Sequence, residues 1–136
     1  MVDLYEFSLG PYPRGFHVIT DEVLSFLGHL PETAVLHVFI RHTSAGICIN
    51  ENYDPDVLDD FETFFSRLVP EYFQGMKHTV EGPDDMPAHI KAVFTGCSVT
   101  IPVSNHKLCL GTWQGIYLCE FRDNARERHI VATVIS

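Results

Sequence analysis

Basic residues are scarce in this 136-residue chain: nine lysines and arginines stand against eighteen aspartates and glutamates, a formal charge of −9. With no basic patch to neutralise phosphates, nucleic acid is excluded as a partner. Long apolar runs are also missing. None approaches the ~20 residues that a membrane span needs, so no membrane partner is expected. The first residues, Met-Val-Asp-Leu-Tyr-Glu, have neither the basic start nor the apolar core of a secretory signal. A cytoplasmic protein is the expectation. Cysteine is sparse: Cys48, Cys97, Cys109 and Cys119 form no Cys-x-x-Cys and fall in strand-like segments. They read as small buried hydrophobes, which argues against a disulfide framework or a cysteine zinc site. Gly-x-Ser-x-Gly, P-loop and dinucleotide fingerprints are absent, as are repeats, linkers and low-complexity segments. What remains is one domain, residues 1–136, long enough to bury roughly two thirds of its unfolded surface.

The pattern inside that domain mixes two periods. Residues 3–9 alternate imperfectly, Gly10-Pro-Tyr-Pro-Arg-Gly15 is turn chemistry, and residues 16–19 form a second short strand. Thr20 or Asp21 caps a helix whose stripe is Val23, Leu24, Phe26, Leu27 and Leu30, stopped by Pro31. Residues 34–41 are almost continuously apolar, an interior strand, and residues 47–50 are its expected hairpin partner. Asp54-Pro55 opens a long helix with Val57, Leu58, Phe61, Phe64, Phe65 and Leu68 on one face. A short helix follows Pro87, with Met86, Ile90, Val93 and Phe94 as its apolar side and Gly96 as its stop. Strands at 97–103, 108–111, 115–122 and 129–135 complete the chain. Strands and helices that are grouped, not strictly alternating, predict an α+β domain. Its form would be a mixed or antiparallel, β-sandwich-like sheet with two to three helices.

Chemistry concentrates in residues 78–89, where His78, Glu81, Asp84, Asp85 and His89 share twelve positions with two prolines and a glycine. A capped loop needs polar residues but not imidazoles and carboxylates at this density. Imidazole suits zinc and carboxylate suits magnesium, so His78, His89, Asp84 and Asp85 are the candidate ligands of a divalent metal ion, Mg or Zn. A second constellation is His42-Thr43-Ser44 with Asn50-Glu51. The expected hairpin would bring His42 beside Asn50 and Glu51 at one rim of a sheet. The hydroxyls of Thr43 and Ser44 would then face a phosphate or carboxylate. His42, Glu51 and Glu81 are the candidate catalytic groups. A third is Gly111-Thr-Trp-Gln-Gly115, in which Trp113 and Gln114 would point to opposite faces of an extended strand.

Taken together, these segments resemble the YjbQ-like family. The blocks that carry the resemblance are His42-Thr-Ser-Ala with Ile49-Asn-Glu-Asn52, residues 81–92, Ile101-Pro-Val, and Leu110-Gly-Thr-Trp-Gln-Gly115. They span nearly the whole chain in order. Arg126 also matches, although the turn here reads Asp123-Asn-Ala-Arg126 where the family more often has Gly-Pro-Arg. The resemblance implies a sandwich-like subunit that assembles as a homotrimer. It also implies a thiamine-phosphate synthase activity, a transferase step joining an aminopyrimidine diphosphate to a thiazole phosphate. On that expectation Glu51, Asp84 or Asp85 holds magnesium, Thr43, Ser44, Lys91 and Arg126 meet phosphate, and Trp113 stacks on a ring, with Asn50 and Gln114 also touching substrate. Two alternatives use the same residues. One is a metal-dependent hydrolase of a small phosphorylated molecule. The other is a trimeric small-anion binder with no catalysis.

Overall fold

The computed structural model of the protein describes residues 1–136. In chain order it contains β1 (Val2–Leu9), β2 (Gly15–Val18), α1 (Thr20–Leu27), β3 (Thr33–Ile40), β4 (Ala45–Glu51) and α2 (Pro55–Leu68). Then come α3 (Asp85–Thr95), β5 (Ser98–Ser104), β6 (Lys107–Leu108), β7 (Gln114–Glu120) and β8 (Arg128–Ile135). Five strands form one sheet in the order β1-β8-β3-β5-β6 and three form a second, β2-β7-β4. All strand pairs are antiparallel, and the α+β sandwich expected from the sequence is what the chain adopts.

Side-chain alternation decides the layering. On β8, Arg128, Ile130, Ala132 and Val134 are buried while their neighbours are not, and β3 follows with Ala34, Leu36, Val38 and Ile40. These faces meet Ala45 and Ile47 of β4 and Ile116 and Leu118 of β7 in the main core between the sheets. β7 is buried on both sides, because Tyr117, Cys119 and Phe121 point the other way into a second cluster with Phe16 and Ala88, under α2 and α3. The order is therefore sheet, sheet, helices.

The helices cover less than their periodicity suggests. Asp54 Oδ1 accepts from the Asp56 backbone N–H at 2.9 Å and Pro55 takes the first helical position, so α2 starts where its caps dictate. Only the Leu58-Phe61-Phe65 stripe packs inward, with Phe61 and Phe65 ring centroids 5.3 and 5.5 Å from Phe16, while Phe64 and Leu68 stay exposed. On α3 the expectation fails in a more telling way. Its buried side is Asp85, Pro87, Ala88 and Lys91, and Val93 and Phe94 face outward. Asp85 is turned to the protein where Arg122, His78 and His89 meet it, and Lys91 lies with its Nζ over the Phe121 ring. Gly46 permits this approach: a Cβ at that position would lie 2.0 Å from Thr95 Oγ1 and 2.9 Å from the Gly96 carbonyl.

Two further expectations are corrected. β3 and β4 do not form a hairpin; they lie in different sheets, β4 pairing with β7 and β3 with β8 and β5. Nor are all the cysteines interior. Cys119 is buried and Cys48 half-buried with its Sγ 3.6 Å away, but Cys97 and Cys109 are exposed.

Tyr117 offers a test of the packing under the helices. It is fully buried, its hydroxyl donates to the Glu51 carbonyl, and burial pushes its pKa up to about 12. A phenol whose pKa is raised on folding contributes stability below pH 10 that is lost as pH rises toward 12, because the unfolded state releases the proton first. Urea melts of the wild type should lose up to roughly 2–3 kcal/mol across that window relative to Tyr117→Phe. Parallel alkaline limbs for the two proteins would contradict this account.

Candidate metal centre

A helix sets side chains four residues apart on one face, so Asp85 at the start of α3 places its carboxylate beside the ring of His89. The Gly82-Pro83 turn brings the preceding loop back so that His78 reaches the same carboxylate. Asp85 Oδ2 lies 2.5 Å from His78 Nε2 and 3.0 Å from His89 Nε2, with the two ring centroids 5.4 Å apart. One oxygen and two imidazole nitrogens, all within 4.8 Å of one another, thus converge from a buried aspartate, a half-buried histidine and an exposed one.

The hydrogen bonds around the trio fix its chemistry. His89 Nδ1 lies 3.0 Å from the Thr43 carbonyl, which can only accept, so Nδ1 carries the proton. In the neutral ring the lone pair of Nε2 then faces Asp85 Oδ2, itself an acceptor. Two acceptors at 3.0 Å repel unless a proton or a cation lies between them. The donor set, two imidazoles and a carboxylate, is one that zinc and similar ions favour.

Arg122, just beyond β7, anchors the carboxylates. Its Nη1 donates to Asp85 Oδ1 at 2.5 Å, its Nε to Asp84 Oδ2 at 2.8 Å and its Nη2 to the Glu81 carbonyl at 3.0 Å. Asp84 Oδ2 also accepts the Asp123 backbone N–H at 2.9 Å. Burial works to raise the pKa of Asp85, but the His78 bond, with His89 and the guanidinium of Arg122 beside it, outweighs that effect and lowers it from its ordinary value. Burial is likewise overcome at Asp84, by Arg122 first, and its carboxyl falls below its ordinary value. This outer bonding leaves Asp85 Oδ2 free to ligate while fixing its direction.

The other sequence candidates separate into three places. His42 is near the trio: it lines the same groove as His89 and Thr43. Its Nε2 accepts the His129 backbone N–H at 2.8 Å, and burial, with Arg128 and His129, pushes its pKa down. Asn50, Glu51, Trp113 and Gln114 are remote, because the register sets Ala45 opposite Glu120 at one end of β4 and Glu51 opposite Gln114 at the other. Seven extended residues separate these ends by about 20 Å. There Asn50 Oδ1 caps the Glu51 N–H, Gln114 Oε1 accepts the Gly111 N–H, and Trp113 packs edge-on against Tyr53. Lys91 faces away from the trio, fully buried with Nζ 5.8 Å from the Phe121 ring centroid. Glu81 is exposed, Ser44 buried with its carbonyl accepting from Arg128, and Asp84 turns to Arg122 instead of to the histidines. Arg126 is exposed and lines a smaller pocket with His42, Ser44 and Arg128.

Sequence reasoning missed Arg122 and Arg128. Arg122 ends an apolar strand, where a bare charge signals a partner, but nothing in the sequence says that the partner is forty residues earlier.

A family model described as UPF0047 protein YjbQ-like matches residues 5–136. The UPF0047 protein YjbQ of Salmonella typhimurium is 47% identical over 129 residues, covering 93% of each chain. UPF0047 protein sll1880 of Synechocystis is 48% identical over 122 residues, 89% of this chain and 83% of its own. Among solved structures, an uncharacterized YjbQ/UPF0047 protein of Clostridium acetobutylicum superposes with a TM-score of 0.81 at 40% identity, covering 96% of this chain and 98% of its own. A Sulfolobus solfataricus protein described as YbjQ-like and of unknown function gives 0.85 at 26% identity, covering 100% and 98%. These relatives carry a family designation and no activity. The expected thiamine-phosphate synthase is therefore withdrawn, as are the phosphoester hydrolase and the trimeric small-anion binder weighed beside it.

Proposed function

The chain belongs to the YjbQ-like UPF0047 family, and from that premise we propose that it binds one divalent transition-metal ion through His78 Nε2, Asp85 Oδ2 and His89 Nε2. The observation that carries this is the convergence of two imidazole nitrogens and one carboxylate oxygen within 4.8 Å of one another. The His89 Nδ1 proton is committed to Thr43, so that its Nε2 can bind a metal ion in place of a second proton. Two imidazoles favour zinc or a neighbour in the first row over magnesium, which prefers an all-oxygen octahedron. Three protein ligands leave a tetrahedral ion at least one open position.

The test is a titration of metal-free protein with Zn²⁺ and Co²⁺. One equivalent should bind, and His78→Ala should lose that binding while keeping its fold, since His78 is exposed. A His78→Ala protein that binds as tightly as the wild type would sink the assignment.

Self-association is proposed as part of the same reading. The outer face of the five-stranded sheet exposes Val2, Leu4, Val35, Phe39 and Ile135 on a chain whose net charge is −9. Little charge on this face means little repulsion between copies of it, and a second copy of the chain is the occupant that would cover it. Sedimentation should give more than one chain, three being the number the family resemblance implies, and Val35→Asp should yield the monomer; a wild-type mass of 15.4 kDa would contradict it. The four free thiols and the absence of any helix long and apolar enough to cross a membrane support a cytoplasmic placement.

A further inference from the structure

His89 belongs to two structures at once. It is one of the three converging ligands, and it is also part of the wall of a groove of about 730 Å³ between α3 and the segment leading into β4. That volume suits a small organic molecule. The groove's composition narrows which one. Met86, Ala92 and Val93 give it an apolar wall, and no lysine or arginine lines it, so no side chain there would balance a phosphate. Val93 is strongly exposed for an apolar residue, an apolar surface with no covering side chain of its own.

His42 also lines the groove. Its Nε2 is an acceptor, occupied by the His129 N–H, so the neutral ring carries its proton on Nδ1. Nδ1 makes no hydrogen bond within the protein. The groove is therefore bordered by one of the three metal ligands, His89, and by an uncharged imidazole and an apolar surface. We propose that it binds a small, largely apolar carbonyl compound, its oxygen donors on the metal, a carbonyl or neighbouring oxygen accepting from His42 Nδ1–H, and its body against Met86, Ala92 and Val93. This rests on the metal reading above and adds the chemical class of the ligand.

The probes are acetohydroxamic and benzohydroxamic acid, which share a metal-chelating carbonyl and differ in apolar bulk. Protein loaded with Co²⁺ reports both steps through its visible absorption, first on metal uptake and then on chelation. Benzohydroxamic acid is expected to bind at least about tenfold tighter, the gain for burying much of a ring. Val93→Asp, a surface change, should erase that preference without altering Co²⁺ uptake. His42→Ala should weaken both probes about fivefold, the size of one hydrogen bond, again with Co²⁺ uptake unchanged. Equal affinity for the two probes on Co²⁺-loaded protein, or a preference that survives Val93→Asp, overturns the inference while leaving the metal site standing. No Co²⁺ uptake at all defeats the metal reading, and this inference with it.

Discussion

Arg128→Ala is expected to destabilise the protein by about 3–5 kcal/mol, the cost of leaving one member of a buried ion pair alone. Glu120 is wholly inaccessible and Arg128 nearly so, between the two sheets. Arg128 Nε donates to Glu120 Oε1 at 2.7 Å, and its Nη2 donates to both Glu120 Oε2 and the Ser44 carbonyl. Without the guanidinium the carboxylate keeps one backbone donor, the Arg122 N–H at 3.2 Å, at a position closed to solvent. The pair as a whole is a different matter. Its Coulombic gain is offset by the desolvation of two charges, so Glu120→Leu combined with Arg128→Met should recover most of the loss. Urea denaturation of the single and double variants checks this. A single variant within 1 kcal/mol of wild type would mean that water reaches Glu120.

The second large effect is at Asp85. Asp85→Asn should lower the affinity for Zn²⁺ or Co²⁺ by at least about a hundredfold, beyond the ~10–100-fold typical of residues that only support a ligand. The fold should survive, for a geometric reason. The amide oxygen can still accept from Arg122 Nη1, and the amide nitrogen presents two N–H groups to the two histidine Nε2 atoms that now share Oδ2. The metal-free form can thus keep a hydrogen bond to each ring while losing a charge beside Arg122. Asp85→Ala has no such compensation and should lose stability as well as metal. Calorimetric metal titrations with thermal melts of both variants separate the roles. If Asp85→Asn bound metal like the wild type, the ligand set proposed here would be wrong.

Much of the fold was legible because its signals are local. Asp54-Pro55 set the start of α2, Gly96 stopped α3, and the alternation in residues 129–135 identified β8, each within a few residues of chain. The partners of β3 and β4 were not legible. A short connection between two apolar strands suggests a hairpin, yet it also fits a crossing between sheets, and the choice depends on β7, more than sixty residues later. The site divides in the same way. His78, Asp85 and His89 stand out by residue type and density, whereas Asn50 and Glu51 join His42 only through a hairpin that does not exist, and Trp113 and Gln114 enter the site only through the family resemblance.

Residue identity and spacing along the chain determined the fold class, the start of α2, the stop of α3 and the segment that carries the imidazoles and carboxylates. By contrast, α1 ends at Leu27, before Pro31, and α3 starts at Asp85, before Pro87. Tertiary structure alone decided which of them meet. Arg122 crosses from the end of β7 to hold Asp84 and Asp85, and this anchoring turns the polar side of α3 inward against its own apolar periodicity. Periodicity reports what water prefers to leave, but a guanidinium bridging two carboxylates is set by groups distant in sequence, and at α3 that contact holds the start of the helix against the protein.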